Sequence, residues 1–230
     1  MRDCAEVSKW FGRPENVFGT DAIVCFYPGM PRPSYRRGFL TRQGFGAPVR
    51  RNGCYVCIIT SSYCSERAKY HSDIKPENCF WDDKLKCLRL ADFGLTRRLN
   101  GYKLTPGMVT RWYRAPEILL GETYDEKVDI FAAGATLTEC ITGRVLFHSA
   151  SDIDQMHYID AFKGSGQILD DMYGSFTEDD MVLLEMAAAL LARMLARNPS
   201  ERPSAGEALC DDFFRRARDM HLLRLDAPDC

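Results

Sequence analysis

The chain has 230 residues, which is enough for one sizeable hydrophobic core, or for one domain with an attached arm, but short for two full domains. Its formal net charge of -2 provides no overall field that would attract nucleic acid or an anionic membrane, so we expect neither as a partner. Ten Cys are too few for a secreted disulfide scaffold, and the sequence contains neither a signal-peptide core after Met1 nor an apolar run of membrane length. We therefore expect an intracellular protein, of the cytoplasm or the nucleus.

The first 59 residues give weaker structural signals than the rest of the chain. Residues 28–52 contain six Arg, four Pro and four Gly but neither Asp nor Glu, a composition that can bury little apolar surface. This predicts an irregular basic segment over residues 1–59. Such a segment is either an arm for nuclear import or an anionic partner, or a solvated linker, and the scattered positions of the Arg favour the linker.

From residue 60 onward the apolar spacing becomes regular and predicts a folded unit over residues 60–217, with a tail at 218–230. Residues 79–81 and 87–90 alternate in polarity on either side of two Asp, which is typical of a short β-hairpin. The remainder of the unit is predicted to be mostly helical.

Three helices are indicated in the second half of the chain. Residues 128–141 keep near-helical apolar spacing up to Gly143, which can adopt the left-handed conformation that ends a helix. Thr177 begins a capping-box pattern before a long apolar run. Ser204 begins another, and it predicts a last helix that reaches Phe214.

The most informative pattern is a pair of short polar motifs, HSDIKPEN at residues 71–78 and DFG at residues 92–94. Two acidic groups and an amide at these short spacings, on either side of a two-strand turn, can place one general base and two magnesium ligands around a single point. This set of groups is the equipment of phosphoryl transfer.

The two motifs resemble the catalytic loop and the metal-binding loop of protein kinases. Residues 109–117 are similar to the APE region in the form used by the group of cyclin-dependent and mitogen-activated kinases. Residues 124–134 resemble the start of the central helix of the family, and residues 198–203 resemble its Arg-bearing turn. The resemblance implies an α+β protein kinase-like fold, with a mostly helical large lobe and a short β-hairpin at the catalytic loop.

The small lobe of the family is not recognisable in this sequence. The GFG run at residues 44–46 ends only 25 residues before His71, which is too short a distance for several strands and two helices. A strand with the family's ATP-binding Lys cannot be identified either. Residues 1–59 are therefore either the linker described above or the remnant of a small lobe.

The resemblance also implies roles for five residues of a site that uses ATP and Mg²⁺. Asp73 would be the general base, and Lys75 would neutralise charge on the transferred phosphoryl group. Asn78 and Asp92 would bind Mg²⁺ and, through it, the nucleotide. Phe80 fits either the apolar floor under the adenine or an ordinary core position.

Further positions that match the family imply contacts around this site. Thr110 would bridge toward Asp73 and Lys75, as in kinases that act on Ser or Thr. The buried pair Glu117 and Arg202 would tie the APE region to the last helices, and Asp129 would accept backbone N–H bonds from the catalytic loop. Residues 112–114 resemble the substrate-shaping segment of proline-directed kinases, so the implied substrate is a protein with Ser or Thr followed by Pro.

Ser72 stands where the family pattern has Arg. In the family this Arg pairs with a phosphorylated Thr of the activation segment, a position that Thr105 would occupy here. Because Ser cannot form this pair, we expect weak or lost control by that phosphorylation.

The function implied is a divergent Ser/Thr protein kinase that uses ATP and Mg²⁺, with a protein substrate and a regulatory protein as partners. Two alternatives remain open: a pseudokinase or scaffold that uses the large lobe as a protein-interaction module, and a truncated product without a function of its own.

Overall fold

The computed structural model describes residues 23–25, 69–82, 87–90, 97–98, 110–172 and 178–219. The described part is largely helical, as predicted. Its strands are β1 (Ile23–Cys25), β2 (Lys69–Tyr70), β3 (Cys79–Asp82), β4 (Cys87–Leu90) and β5 (Arg97–Arg98). Its helices are α1 (Pro116–Leu119), α2 (Lys127–Thr142), α3 (Asp152–Asp160), α4 (Ser165–Asp170), α5 (Glu178–Met194), α6 (Ala205–Leu209) and α7 (Asp212–Asp219). No helix within these ranges is long and apolar enough to cross a membrane.

Helix α2 is the centre of the core. Its residues 128–138 are all buried, so this part of the helix is enclosed around its whole circumference rather than on one face. Helix α5 approaches it closely at Gly134, where an added β carbon would lie 3.1 Å from Met194 Cβ. The helix ends as predicted: Gly143 has a φ of 71°, and its N–H donates to the carbonyl of Glu139 at 2.7 Å.

The predicted last helix is wrong in one respect, because the chain forms two helices there. The capping box at Ser204 is confirmed, with Ser204 N–H donating to Glu207 Oε2 at 2.6 Å and Glu207 N–H to Ser204 Oγ at 3.2 Å. Helix α6 nevertheless ends at Leu209, and Asp211 Oδ1 accepts the N–H of Phe213 at 2.9 Å. This bond caps a new helix, α7. The proposed capping residue Thr177 of the preceding helix lies outside the described residues.

The strands form two small antiparallel sheets. One has the order β1-β4-β3, and the other pairs β2 with β5. Strands β3 and β4 are in register over four residues, from Cys79 opposite Leu90 to Asp82 opposite Cys87. Residues 83–86, which would close the predicted hairpin, lie outside the described residues, so the complete hairpin stays a prediction. Apart from β1, the predicted irregular segment 1–59 also lies outside them.

This topology places residues 71–78 between two strand ends. They follow β2 directly and lead directly into β3. Tyr70, the last residue of β2, pairs with Arg97, and Cys79, the first residue of β3, pairs with Leu90. The strand before the loop therefore pairs with β5, which follows residues 91–96, and the strand after the loop pairs with β4, which precedes them.

Candidate active site

The loop 71–78 is held by Asp129, which lies in the first turn of helix α2. The N–H of His71 donates to Asp129 Oδ2 at 2.5 Å, and that of Ser72 donates to Oδ1 at 2.9 Å. The prediction that Asp129 accepts backbone N–H bonds from this loop is confirmed. Burial raises the pKa of this carboxyl to about 6, even though the two N–H bonds act in the opposite direction. A single buried side chain thus fixes the backbone on the N-terminal side of Asp73.

Ser72 has an unusual backbone conformation. Its φ of 76° lies in the left-handed region, where it is the one described residue other than Gly. Its hydroxyl Oγ is buried and has no hydrogen-bond partner within the described part of the chain. The conformation costs about 1 kcal/mol or more, and it persists because the bonds to Asp129 hold the peptide groups on both sides of His71.

Asp73, Lys75, Asn78 and Thr110 meet in one small cluster. Lys75 Nζ donates to Asp73 Oδ2 at 2.7 Å and to Thr110 Oγ1 at 2.8 Å. Asn78 Nδ2 donates to the backbone carbonyl of Asp73 at 2.8 Å and to its Oδ2 at 3.1 Å. The predicted contact between Thr110 and Lys75 is confirmed. The second carboxylate oxygen of Asp73, Oδ1, is buried and has no hydrogen-bond partner among the described residues.

The chemical roles of the five predicted site residues stay predictions. Asp92 lies outside the described residues, as does the phosphorylation position Thr105. Phe80 lies in β3, and its place under an adenine ring stays a prediction.

The predicted ion pair between Glu117 and Arg202 is confirmed, and it is fully buried. The guanidinium donates to Glu117 Oε1 at 2.6 Å and to Oε2 at 2.8 Å, a bidentate arrangement with both side chains at most 2% exposed. It also lies over the ring of Phe131, 5.0 Å from the ring centre. Its remaining donors bond to the backbone carbonyls of Lys127, Ala196 and Arg197. This pair joins α1 to the last third of the chain.

Comparison with known proteins decides the family. Residues 39–214 match the protein kinase domain family. The chain belongs to the protein kinase family. This kinase domain match begins inside the segment that the sequence predicts to be irregular.

A homologous kinase, the protein kinase gsk3 of Schizosaccharomyces pombe, is 31% identical over 211 residues. The aligned region covers 83% of this chain and 54% of that relative, so the chain spans about half the relative's length.

In the frame of this kinase fold, the structure shows one set of polar contacts that the sequence did not reveal. Arg111 begins a 3₁₀ turn, Arg111–Tyr113, and Arg114 follows it directly. Both bond to Asp152 Oδ1 at the start of α3, at 2.7 Å and 3.3 Å. Burial lowers the pKa of Arg114, whereas Asp152 and Asp73 raise it. Only the spacing of the two Arg is visible in the sequence, because Asp152 lies 38 residues beyond Arg114.

Proposed function

We propose that this chain transfers the terminal phosphoryl group of ATP to a Ser or Thr hydroxyl of a protein. One observation carries the proposal: the carboxylate of Asp73 has one oxygen fixed by two donors and the other buried without a partner among the described residues. A buried acceptor that no protein group satisfies is costly, and such groups occur where a ligand supplies the missing donor. A substrate hydroxyl is a donor of the required kind.

Asp73 then acts as the general base. Its Oδ1 accepts the hydrogen bond of the substrate hydroxyl, orients the attacking oxygen and takes its proton late in the transfer. The new bond joins that oxygen to the terminal phosphorus of ATP, and the bond from this phosphorus to the bridging oxygen of ADP breaks. Lys75 lies beside both Asp73 and Thr110, so its ammonium group can neutralise charge that develops on the transferred group.

Mg²⁺ and ATP fit the residues that are present. Asn78 bonds to Asp73 through its amide nitrogen, and these bonds do not involve its amide oxygen. An amide oxygen is a ligand of the type that Mg²⁺ prefers. Asp92 is proposed as the second ligand. Support comes from β4, because Leu90 pairs with Cys79 immediately after Asn78, and Asp92 follows Leu90 by two residues. Mg²⁺ bound with ATP would supply charge neutralisation on the phosphates.

The substrate class rests on Thr110 and the turn that follows it. Thr110 Oγ1 accepts a bond from Lys75, the arrangement implied by the resemblance to Ser/Thr kinases. A protein substrate with Pro after the Ser or Thr, and a regulatory protein partner, belong to the same proposal. So does the division of the chain into a folded unit over residues 60–217, an N-terminal segment 1–59 and a tail 218–230.

The test is binding followed by transfer. Calorimetry with ATP should show weak binding that requires Mg²⁺, and phosphotransfer to a Ser/Thr-Pro peptide should fall roughly 10²- to 10⁴-fold in Asp73→Asn, the usual contribution of a positioned general base. Metal-dependent binding should survive in this variant because Asn78 and Asp92 remain. Transfer that persists in both Asp73→Asn and Asp92→Asn would reveal a contaminating kinase. Absence of ATP binding at millimolar nucleotide would instead favour the scaffold alternative.

A further inference from the structure

The 3₁₀ turn Arg111–Tyr113, directly after Thr110, is attached to helix α3 by charged groups. Asp152 Oδ1 accepts bonds from Arg111 Nε at 2.7 Å and from Arg114 Nη1 at 3.3 Å. Arg111 also donates to the carbonyl of Ala150 at 3.0 Å. The guanidinium groups on the two sides of the turn therefore converge on one carboxylate oxygen.

A second, uncharged set of contacts joins the middle of the turn to the same helix and to the residues just before it. Trp112 Nε1 donates to the carbonyl of Ser149 at 3.0 Å, and Gln155 Nε2 donates to the carbonyl of Trp112 at 3.2 Å. Gln155 is fully buried, and its Oε1 accepts the hydroxyl of Ser149 at 2.5 Å. These bonds fix the position of Trp112, whereas Asp152 bonds to the two Arg side chains.

The charges make Asp152 different from its neighbours. Arg114 is only 7% exposed, and the nearby positive charge of Arg111 disfavours the charged form of the Arg114 guanidinium. Asp152 therefore lies between two like charges, one of them largely removed from water, and its removal would weaken the compensation of both. Asp154 lies in the same first turn of α3, but it is exposed, and its contact there is a backbone bond from its N–H to Ser151 Oγ at 3.1 Å.

We infer that Asp152 is a positioning residue, which holds residues 110–114 so that the Thr110 hydroxyl stays on Lys75. The chain of contacts runs from Asp152 through Arg111 to the turn, from the turn to Thr110, and from Thr110 through Lys75 to Asp73. Its effect on the attachment of the turn can be measured without any reaction. Its effect on phosphotransfer rests on the proposed function.

The first experiment measures backbone amide hydrogen exchange in the full chain. The N–H of Arg114 donates to the carbonyl of Arg111 at 2.9 Å, so its exchange reports opening of the turn. Asp152→Ala should accelerate this exchange about three- to tenfold, the range expected for loss of a partly exposed charged contact to a buried Arg. Asp154→Ala is the matched control, because it removes a carboxylate from the same turn of α3 and should leave the exchange unchanged.

Three further variants separate the contact from a general loss of order. Asp152→Glu should restore most of the protection, since it returns a carboxylate to the same face. Arg111→Ala should accelerate exchange as Asp152→Ala does. The acceleration in the double variant should be less than the product of the two single accelerations, because both changes remove the same interaction. Equal exchange in Asp152→Ala and Asp154→Ala would overturn the inference, and so would independent effects in the double variant.

The second experiment applies the same variants to phosphotransfer. Asp152→Ala should lower kcat and raise KM for the peptide while KM for ATP stays constant, and Asp152→Glu should reverse both changes. If the wild-type chain shows no transfer, the proposed function fails, while the exchange experiment still decides whether Asp152 holds the turn. If transfer is present and Asp152→Ala changes neither kcat nor KM for the peptide, the positioning role in phosphotransfer is wrong, even if amide exchange responds.

Discussion

The buried polar groups of this kinase domain are satisfied to very different degrees in two regions. At the pair of Glu117 and Arg202, the guanidinium bonds to both carboxylate oxygens and to three backbone carbonyls. In the loop 71–78, by contrast, Ser72 is in a left-handed conformation, and adjacent residues contribute Ser72 Oγ and Asp73 Oδ1 as buried oxygens without partners in the described ranges. The first region has the features of a structural tie. The second has the incomplete bonding and backbone strain that accumulate where a protein binds something else.

The largest expected effect comes from breaking the satisfied region. Glu117→Ala should lower the free energy of unfolding by about 3–5 kcal/mol, because it leaves the Arg202 charge buried without a counterion. The matched control is Asp160→Ala, which removes a carboxylate paired with Arg197 at 2.8 Å, with both side chains more than half exposed. That change should cost about 0–1 kcal/mol. Equal urea unfolding midpoints for Glu117→Ala and wild type would show that the two regions do not differ in this way.

A second expectation concerns Asp129, which belongs to the incompletely bonded region because it holds the loop. Its pKa is raised to about 6 in the folded chain, so between about pH 4 and pH 6 the folded state binds a proton that the unfolded state has released. The contribution of this group to stability is therefore full below about pH 4 and is lost as the pH rises to about 6, a change of roughly 3 kcal/mol.

Asp129→Asn isolates this contribution, since it cannot titrate and every other group is common to both proteins. The difference in free energy of unfolding, wild type minus variant, should fall from pH 4 to pH 7 in urea titrations at unit steps. The Asn variant itself should be less stable at low pH, because its amide nitrogen cannot accept one of the two N–H bonds. A difference that rises with pH would mean that those bonds outweigh burial and lower the pKa of Asp129.

The smallest expected effect tests the strain at Ser72. Ser72→Gly should raise the free energy of unfolding by about 1 kcal/mol, because Gly adopts a positive φ without steric cost and the unpartnered hydroxyl is removed. Ser72→Ala removes the hydroxyl but keeps the β carbon, so the difference between the two variants measures the backbone strain alone. Chemical denaturation of both variants beside wild type provides the comparison. A less stable Gly variant would show that the loop is not strained at this position.

Much of the site could be predicted because the family resemblance assigns contacts that span long stretches of sequence. The bonds of Asp129 to the loop, the pair of Glu117 and Arg202 and the contact of Thr110 with Lys75 all join residues at least 35 positions apart. Apolar periodicity alone shows which face of a helix is buried, and it does not show which distant groups meet. The same limit explains why the contacts of Asp152 with the two Arg were missed.

The break between α6 and α7 was missed for a different reason. The buried residues Ala205, Ala208, Leu209 and Phe213 keep the spacing of a single continuous helix. The periodicity therefore has the same appearance whether or not the backbone is interrupted. The useful signal was Asp211, whose side chain caps the backbone two residues later.

The dependence of the loop on Asp129 also has a consequence for synthesis of the chain. Asp129 follows His71 by 58 residues, so at about 5–20 residues per second the ribosome needs roughly 3–12 s to make the anchor after it has made the loop. During this interval the left-handed conformation of Ser72 lacks the bonds from α2 that hold its backbone in the folded chain. The loop 71–78 is therefore expected to be among the last parts of the nascent chain to reach its native conformation, after the central helix has formed and packed.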